Sequence, residues 1–315
     1  MNLYRFLAIF HGRRAVQVVS TQALLESRKL HCDVLFVGLP SDLTKRQLTK
    51  ISYRDAVLFD YFDEPGPVWF QSDRELLTSL TDRYLKTWVE PGWENGWHFG
   101  VLPIRRHAKL TWNLRRRNRL LRRGTIPEED REYDVMFIGN ATGSGDYHQR
   151  IEWLRELRHA NGRYRFWGGL VCSKDARKAL EEQFGDLSEL IYAGRRVGFH
   201  TYFNRLRKSR VALAPAGNAR WSYRHYEAIY AGATVVSADF RNVRTLIPLP
   251  IDGMVHVPDR APVTEAIDRA LALRREHPEL MEENVRFLER FLEYGDYSRN
   301  KPELMDRFMA QLRNA

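Results

Sequence analysis

Three stretches bring together residue types that could act on a ligand. In SYRHYEAIYAGATVVSAD, Ser222 to Asp239, one acid, Glu227, lies a turn into an expected helix among mostly apolar neighbours. A carboxylate left unpaired in such surroundings is costly. Glu227 therefore either meets a ligand, the preferred reading, or pairs along the helix with Arg224 or Arg220. In DYFDE, Asp60 to Glu64, the carboxylates of Asp60, Asp63 and Glu64 fall within five positions. One carboxylate can hold up its neighbour's pKa and leave a general base; a solvated acidic turn before Pro65 is the plainer alternative for any single member. In RRHAKLTWNLRRRNRLLRR, Arg105 to Arg123, ten of nineteen residues are Arg, Lys or His, interrupted by Leu110, Trp112, Leu114, Leu120 and Leu121. A helix there would carry an apolar stripe flanked by arginines. That suits an anionic membrane surface, nucleic acid, or simple packing with a solvated basic face.

Regular elements must hold these residues in place. VALAPAG, Val211 to Gly217, reads as a buried strand ahead of the Glu227 helix, and the apolar run after Gly232 reads as another. Strand, glycine loop, helix, glycine turn and strand make a βαβ unit, whose ligands gather at the carboxyl ends of the strands. Gly217 and the helix start at Ser222 thus mark a site. Upstream, Asp134 to Gly139 is a strand, followed by NATGSG and a helix from Tyr147 to His159. Its glycines at 139, 143 and 145 do not form GxGxxG, yet the backbone at Gly143 could approach a phosphate at the helix start. A strand at Tyr164 to Val171, helices at Lys174 to Phe184 and His200 to Ser209, and a short strand at Met254 to Pro258 complete the pattern. Helices at Pro262 to Leu273, Glu279 to Tyr294 and Lys301 to Asn314 close the chain.

In the first half, Leu3 to Phe10 reads as a strand with His11 and Gly12 in the loop at its end. A helix around Thr21 to Lys29, a strand at Asp33 to Pro40, a helix near Leu43 to Ile51 capped by Ser41 and Asp42, and a strand at Ala56 to Phe59 follow. Further strands fit Tyr84 to Val89 and Phe99 to Ile104. Trp88, Trp93 and Trp97 fit core and loop packing better than a platform for a sugar ring. The alternation predicts an α/β protein with two doubly wound, Rossmann-like domains: residues 1–123, a linker over 124–132, a second domain over 133–295, and a closing helix in 296–315 that returns to the first.

Composition agrees with two globular domains. The chain has 315 residues, 43% hydrophobic and 12% aromatic, so disorder is not the default reading. A net charge of +10 asks for an anionic partner: nucleic acid, a membrane surface or a phosphorylated small molecule. Two distant cysteines, Cys32 and Cys172, suggest neither a disulfide framework nor a zinc site, and point to a reducing cytoplasm. The apolar start has no basic region ahead of it and no stretch approaches the roughly 18 apolar residues of a membrane span, so a soluble or peripheral protein is expected.

YFNRLRKSRVALAPAGNARWSYRHYEAIYAGATVVSADF, residues 202–240, resembles the donor-binding half of GT-B glycosyltransferases, most of all exostosin-type and related bacterial enzymes. The likeness lies in the ordered set Leu206, Ser209, Pro215, Gly217, Ser222, Arg224, Glu227, Ala228, Ala231 and Gly232. It implies two domains facing a cleft and transfer of a sugar, as in hexosyltransferases, from a nucleotide-sugar donor, UDP-linked by preference, with no metal or other cofactor. Glu227 would hold the donor's ribose. Gly217 would let the backbone approach the diphosphate, Arg220 and Arg224 would supply cations to it, and the helix from Ser222 would aim its amides at it. Gly143, Arg195 and Arg196 are further donor contacts.

The acceptor would be a hydroxyl of a glycan or a lipid-linked oligosaccharide, as in bacterial surface polysaccharide and lipopolysaccharide synthesis. An inverting reaction needs a base from the first domain, with Asp63 preferred and Glu64, Asp60 and His11 behind it. The protein would then sit on the inner face of the membrane through residues 105–123, with no nucleic acid partner. Two alternatives stay open: a basic nucleic-acid-binding protein, and a GT-B protein that binds or epimerises nucleotide sugars without transfer.

Overall fold

The computed structural model describes residues 3–62, 67–92, 96–102, 126–141, 148–194, 197–217, 220, 222–246, 249–292 and 302–313. The candidates Asp63, Glu64, Gly143, Arg195 and Arg196, the basic stretch 105–123, and Trp93 lie outside the described residues. Strands run, in chain order, β1 Leu30–Gly38, β2 Ile51–Phe59, β3 Arg83–Lys86, β4 Trp88–Val89, β5 His98–Val101, β6 Tyr133–Asn140, β7 Phe166–Val171, β8 Ser209–Ala214, β9 Thr234–Ala238, β10 Arg244–Thr245 and β11 Val255–Val257. The chain divides into two compact units. One comprises Met1–Asn113, Asn242–Pro248 and Phe291–Ala315; the other comprises Leu114–Arg241 and Leu249–Arg290.

The first unit holds a parallel sheet in the order β1-β2-β3-β5 and a small antiparallel pair of β4 with β10. Its opening element corrects the sequence reading: Leu3–His11 is a helix, not a strand. Leu3, Phe6 and Leu7 are buried, the i, i+3, i+4 spacing of one helical face. Phe6 packs edge-on against Phe308 of the Pro302–Arg313 helix at 5.3 Å between ring centres. A second correction concerns a cap. The helix after β1 is only Lys45–Leu48, and Thr44 rather than Ser41 or Asp42 caps it, in a reciprocal box with Gln47.

The second unit is a five-stranded, wholly parallel sheet in the order β11-β9-β8-β6-β7. Its strands are apolar on both faces because helices cover both. Val135, Phe137, Leu170, Val211, Leu213 and Val236 form a core with Ile151 and Leu154 of the His148–His159 helix and Ala266, Ile267 and Ala270 of the Val263–Glu276 helix. The helix expected at Lys174 to Phe184 has those bounds. From β6 the chain moves outward to β7, then returns to the other side of β6 as β8, so the direction of winding reverses between β6 and β8.

Just before β6, one carboxylate serves three arginines. Glu128 meets Arg131 at 3.4 Å, Arg210 at 2.8 Å and Arg274 at 2.6 Å. Arg131 is 3% exposed, and burial, then the charge of Arg274, draw its pKa down to about 9. Its guanidinium donates to the carbonyls of Arg207 and Ser209, so the segment entering β6 is stitched to the start of β8.

Candidate functional site

Ligands of open parallel sheets bind outside the carboxyl ends of the strands where the winding reverses. In the second unit those ends are Gly139 and Asn140 of β6 and the residues after Ala214 of β8. Arg150 joins them. Its Nη1 donates to the Asn140 carbonyl at 2.6 Å and its Nε to the Ala216 carbonyl at 3.2 Å, while the Ala216 N–H donates to Gln149 Oε1 at 2.6 Å. A Cβ on Gly217 would fall on the Arg150 guanidinium, so a side chain there would have to displace that group from its two carbonyls. The sequence reading found Gly217 and missed Gln149 and Arg150. They open an amphipathic helix like any other polar residues, and one of their partners, Ala216, lies more than sixty positions on, in the loop after β8.

The Tyr223–Tyr230 helix starts beside this loop, with Ser222 extended at its N-cap. His225, fully buried, secures the start. Its Nδ1 lies 2.9 Å from the Ser222 carbonyl and 3.2 Å from the Ser222 amide, and its Nε2 lies 2.8 Å from Ser237 Oγ. Burial, with Arg224 and His256 adding to it, holds the imidazole pKa down to about 4, against an opposing bond to Ser222. A neutral ring keeps a partner on both nitrogens.

Arg224 reaches back to β6. Its guanidinium lies over the Phe137 ring, 4.6 Å from the centroid. Gly139 leaves the room: a Cβ there would stand 2.8 Å from the Phe137 ring and 3.1 Å from Arg224 Nη2. Among the described residues Arg224 makes no ion pair within 4 Å. Arg220, the other expected cation, has acidic and carbonyl partners of its own. It pairs with Asp259 at 3.0 Å and donates to the Asp239 carbonyl at 3.0 Å.

Glu227, one turn after Arg224, is half-buried, and its Oε2 accepts a hydrogen bond of 2.9 Å from Tyr202 of the Phe199–Arg207 helix. Burial raises the Glu227 carboxyl pKa, and the Tyr202 bond and the Arg224 charge lower it. Burial, then the Glu227 charge, push the Tyr202 hydroxyl well above its usual range. Tyr202 opens the 202–240 stretch, but spacing alone does not connect it to an acid 25 positions on.

The first unit's candidates fare differently. Asp60 sits at the carboxyl end of β2 but is 1% exposed. It accepts from Tyr84 Oη at 2.6 Å, from Lys86 Nζ at 3.2 Å and from the Phe62 amide at 2.8 Å. It is the anion of a buried pair linking β2 to β3, which removes it as a base open to an acceptor. His11 is the exposed last residue of the first helix, so the loop at a strand's end in which it was expected does not exist. Trp88 is core, and Trp97 packs against Trp69 and Tyr84.

No family model matches the chain, and no curated protein does. Solved structures match it in fold over nearly its full length. A UDP-forming α,α-trehalose-phosphate synthase from Burkholderia vietnamiensis is 16% identical with a TM-score of 0.51, covering 98% of this chain and 84% of that one. The N-terminal domain of Candida albicans trehalose-6-phosphate phosphatase is 12% identical with a TM-score of 0.54, covering 99% and 80%. A glycosyltransferase from Rickettsia africae ESF-5 is 10% identical with a TM-score of 0.52, covering 90% and 78%. At these identities the likeness is one of fold.

Proposed function

From a fold shared with GT-B glycosyltransferases, we propose that this chain is a glycosyltransferase that moves a sugar from a nucleotide-sugar donor to a hydroxyl. The observation that carries the reading is the placing of Arg224 and Glu227 on one helix at the carboxyl ends of β6 and β8: a cation with no ion pair among the described residues, one turn from a half-buried acid. A nucleotide sugar offers a diphosphate to the first and ribose hydroxyls to the second.

In the reaction the bond between the sugar's anomeric carbon and the diphosphate oxygen breaks, and the acceptor oxygen bonds to that carbon. Arg224 and the amides of the helix beginning at Tyr223 stabilise the charge that grows on the leaving diphosphate, without recourse to a metal. Gly217 keeps side-chain bulk off the loop that meets it. If the anomeric configuration inverts, the acceptor's proton passes to a base, assigned to Asp63 ahead of Glu64. A UDP-linked donor is preferred. The acceptor is proposed to be a glycan or lipid-linked oligosaccharide of bacterial surface polysaccharide type, with residues 105–123 meeting an anionic membrane surface. Among the described residues no helix is long and apolar enough to cross a membrane.

The test is a thermal-shift screen of nucleoside diphosphates and nucleotide sugars, followed by turnover with the donor it finds. Glu227→Ala should abolish turnover with the melting temperature unchanged. Undiminished turnover in that variant would refute the donor-site assignment.

A further inference from the structure

Building on the donor-site reading of Glu227, we propose that Tyr202 is a positioning residue for that carboxylate: its hydroxyl takes Oε2 and leaves Oε1 to accept from the ribose of a nucleoside diphosphate. The two side chains come from separate helices, Phe199–Arg207 and Tyr223–Tyr230, and meet at 2.9 Å. The tyrosine ring is itself held, since Phe199 lies 6.0 Å from it and stacks on buried Phe203 at 5.8 Å. A glutamate side chain turns freely about three bonds. One donor fixed on one oxygen leaves the other at a defined place, the preorganisation that binding sites require.

The same bond also bears on the charge of the site. Burial drives Glu227 toward its neutral acid, which is the poorer acceptor; Tyr202 from the neighbouring helix and Arg224 from its own helix oppose that drive. These are the groups that act on Glu227 among the described residues. Without the Tyr202 hydroxyl the carboxyl would take up its proton at a higher pH. Ligand binding would then fail earlier as the solution is acidified.

Calorimetric titration of the full chain with UDP, GDP, ADP, CDP and dTDP at pH 6 and pH 8 tests this, using wild type, Tyr202→Phe, Glu227→Gln and the double variant. Tyr202→Phe should bind the preferred nucleotide about tenfold more weakly at pH 6 and only a few-fold more weakly at pH 8, as expected for loss of a hydrogen bond to a charged group. In the Glu227→Gln background the tyrosine substitution should change nothing further at either pH. A purely structural tyrosine would weaken binding equally at both pH values and in both backgrounds, and that result overturns the inference. If Glu227→Gln loses binding while Tyr202→Phe matches wild type at both pH values, the inference fails and the donor site stands. If Glu227→Gln binds like wild type, or none of the five nucleotides binds wild type, both fall.

Discussion

Asp60 and Lys86 form an ion pair 3.2 Å long with both side chains fully enclosed. Removing one partner of such a pair strands a buried charge and typically costs about 3 to 5 kcal/mol, whereas replacing both by neutral groups is far milder. Lys86→Met should therefore lower the urea midpoint sharply, and Asp60→Asn combined with Lys86→Met should recover most of the loss. The double variant should also keep the proposed transferase activity. A folded but inactive double variant would return Asp60 to the list of bases.

Gly139 and Arg224 are matched through the Phe137 ring. Gly139→Ala should push the guanidinium off the ring and weaken nucleoside diphosphate binding about tenfold, with only a small fall in melting temperature. Arg224→Ala should lose about 2 kcal/mol of binding, the size of a charge-assisted hydrogen bond. Titration calorimetry reads both. Equal affinities across wild type and the two variants would place the diphosphate elsewhere.

Arg150 ties the loop after β8 to the end of β6 through two carbonyls. Arg150→Met keeps much of the side chain's bulk but not its donors, and should raise the KM for the donor more than it lowers the melting temperature. Steady-state kinetics beside a thermal scan separate the two effects. A large thermal loss with an unaltered KM would make Arg150 a stabilising residue only.

His225 makes stability depend on pH. The unfolded chain takes up a proton at this residue below about pH 6.5, the folded chain only below about pH 4. Its contribution is thus complete above pH 6.5 and disappears as the pH falls toward the folded value. Between pH 7 and pH 5 the loss should be about 2 kcal/mol. His225→Gln should be less stable than wild type at pH 7 but show a shallower decline, measured by urea unfolding at both pH values. Parallel declines would mean that the imidazole protonates without cost.

The sheet of the second unit was readable because its strands are buried on both faces and stand as unbroken apolar runs with a glycine soon after each, as at VMFI and VALA. The first element was not, since LYRFLAIF is a short apolar run that a strand and a helix share. Only the place of Leu3, Phe6 and Leu7 against other parts of the first unit decides for the helix. Glu227 was legible as a lone acid in apolar company. Arg150, Tyr202 and Lys86 were not, because each acquires its role from partners brought near by folding: carbonyls at the end of β6 and in the loop after β8, an acid on another helix, an aspartate just past the end of the neighbouring strand. Arg220 and Arg224, equal in type and close in sequence, were separable only once Asp259 was found beside the former.

Neither unit is an uninterrupted stretch of polypeptide. After β9 the chain donates residues 242–248 to the first unit, where β10 pairs with β4, before it resumes the second. The final helix also belongs to the first unit, where Gln311 accepts from the Val101 amide at 2.7 Å. Exchange of everything after residue 113 between two chains of this fold by a single crossover would accordingly separate Trp88 and Val89 from their own edge partner and Phe6 from Phe308. Trading the second unit whole takes four junctions, after residues 113, 241, 248 and 290, so recombination at one point is a poor route to exchanging units in this architecture.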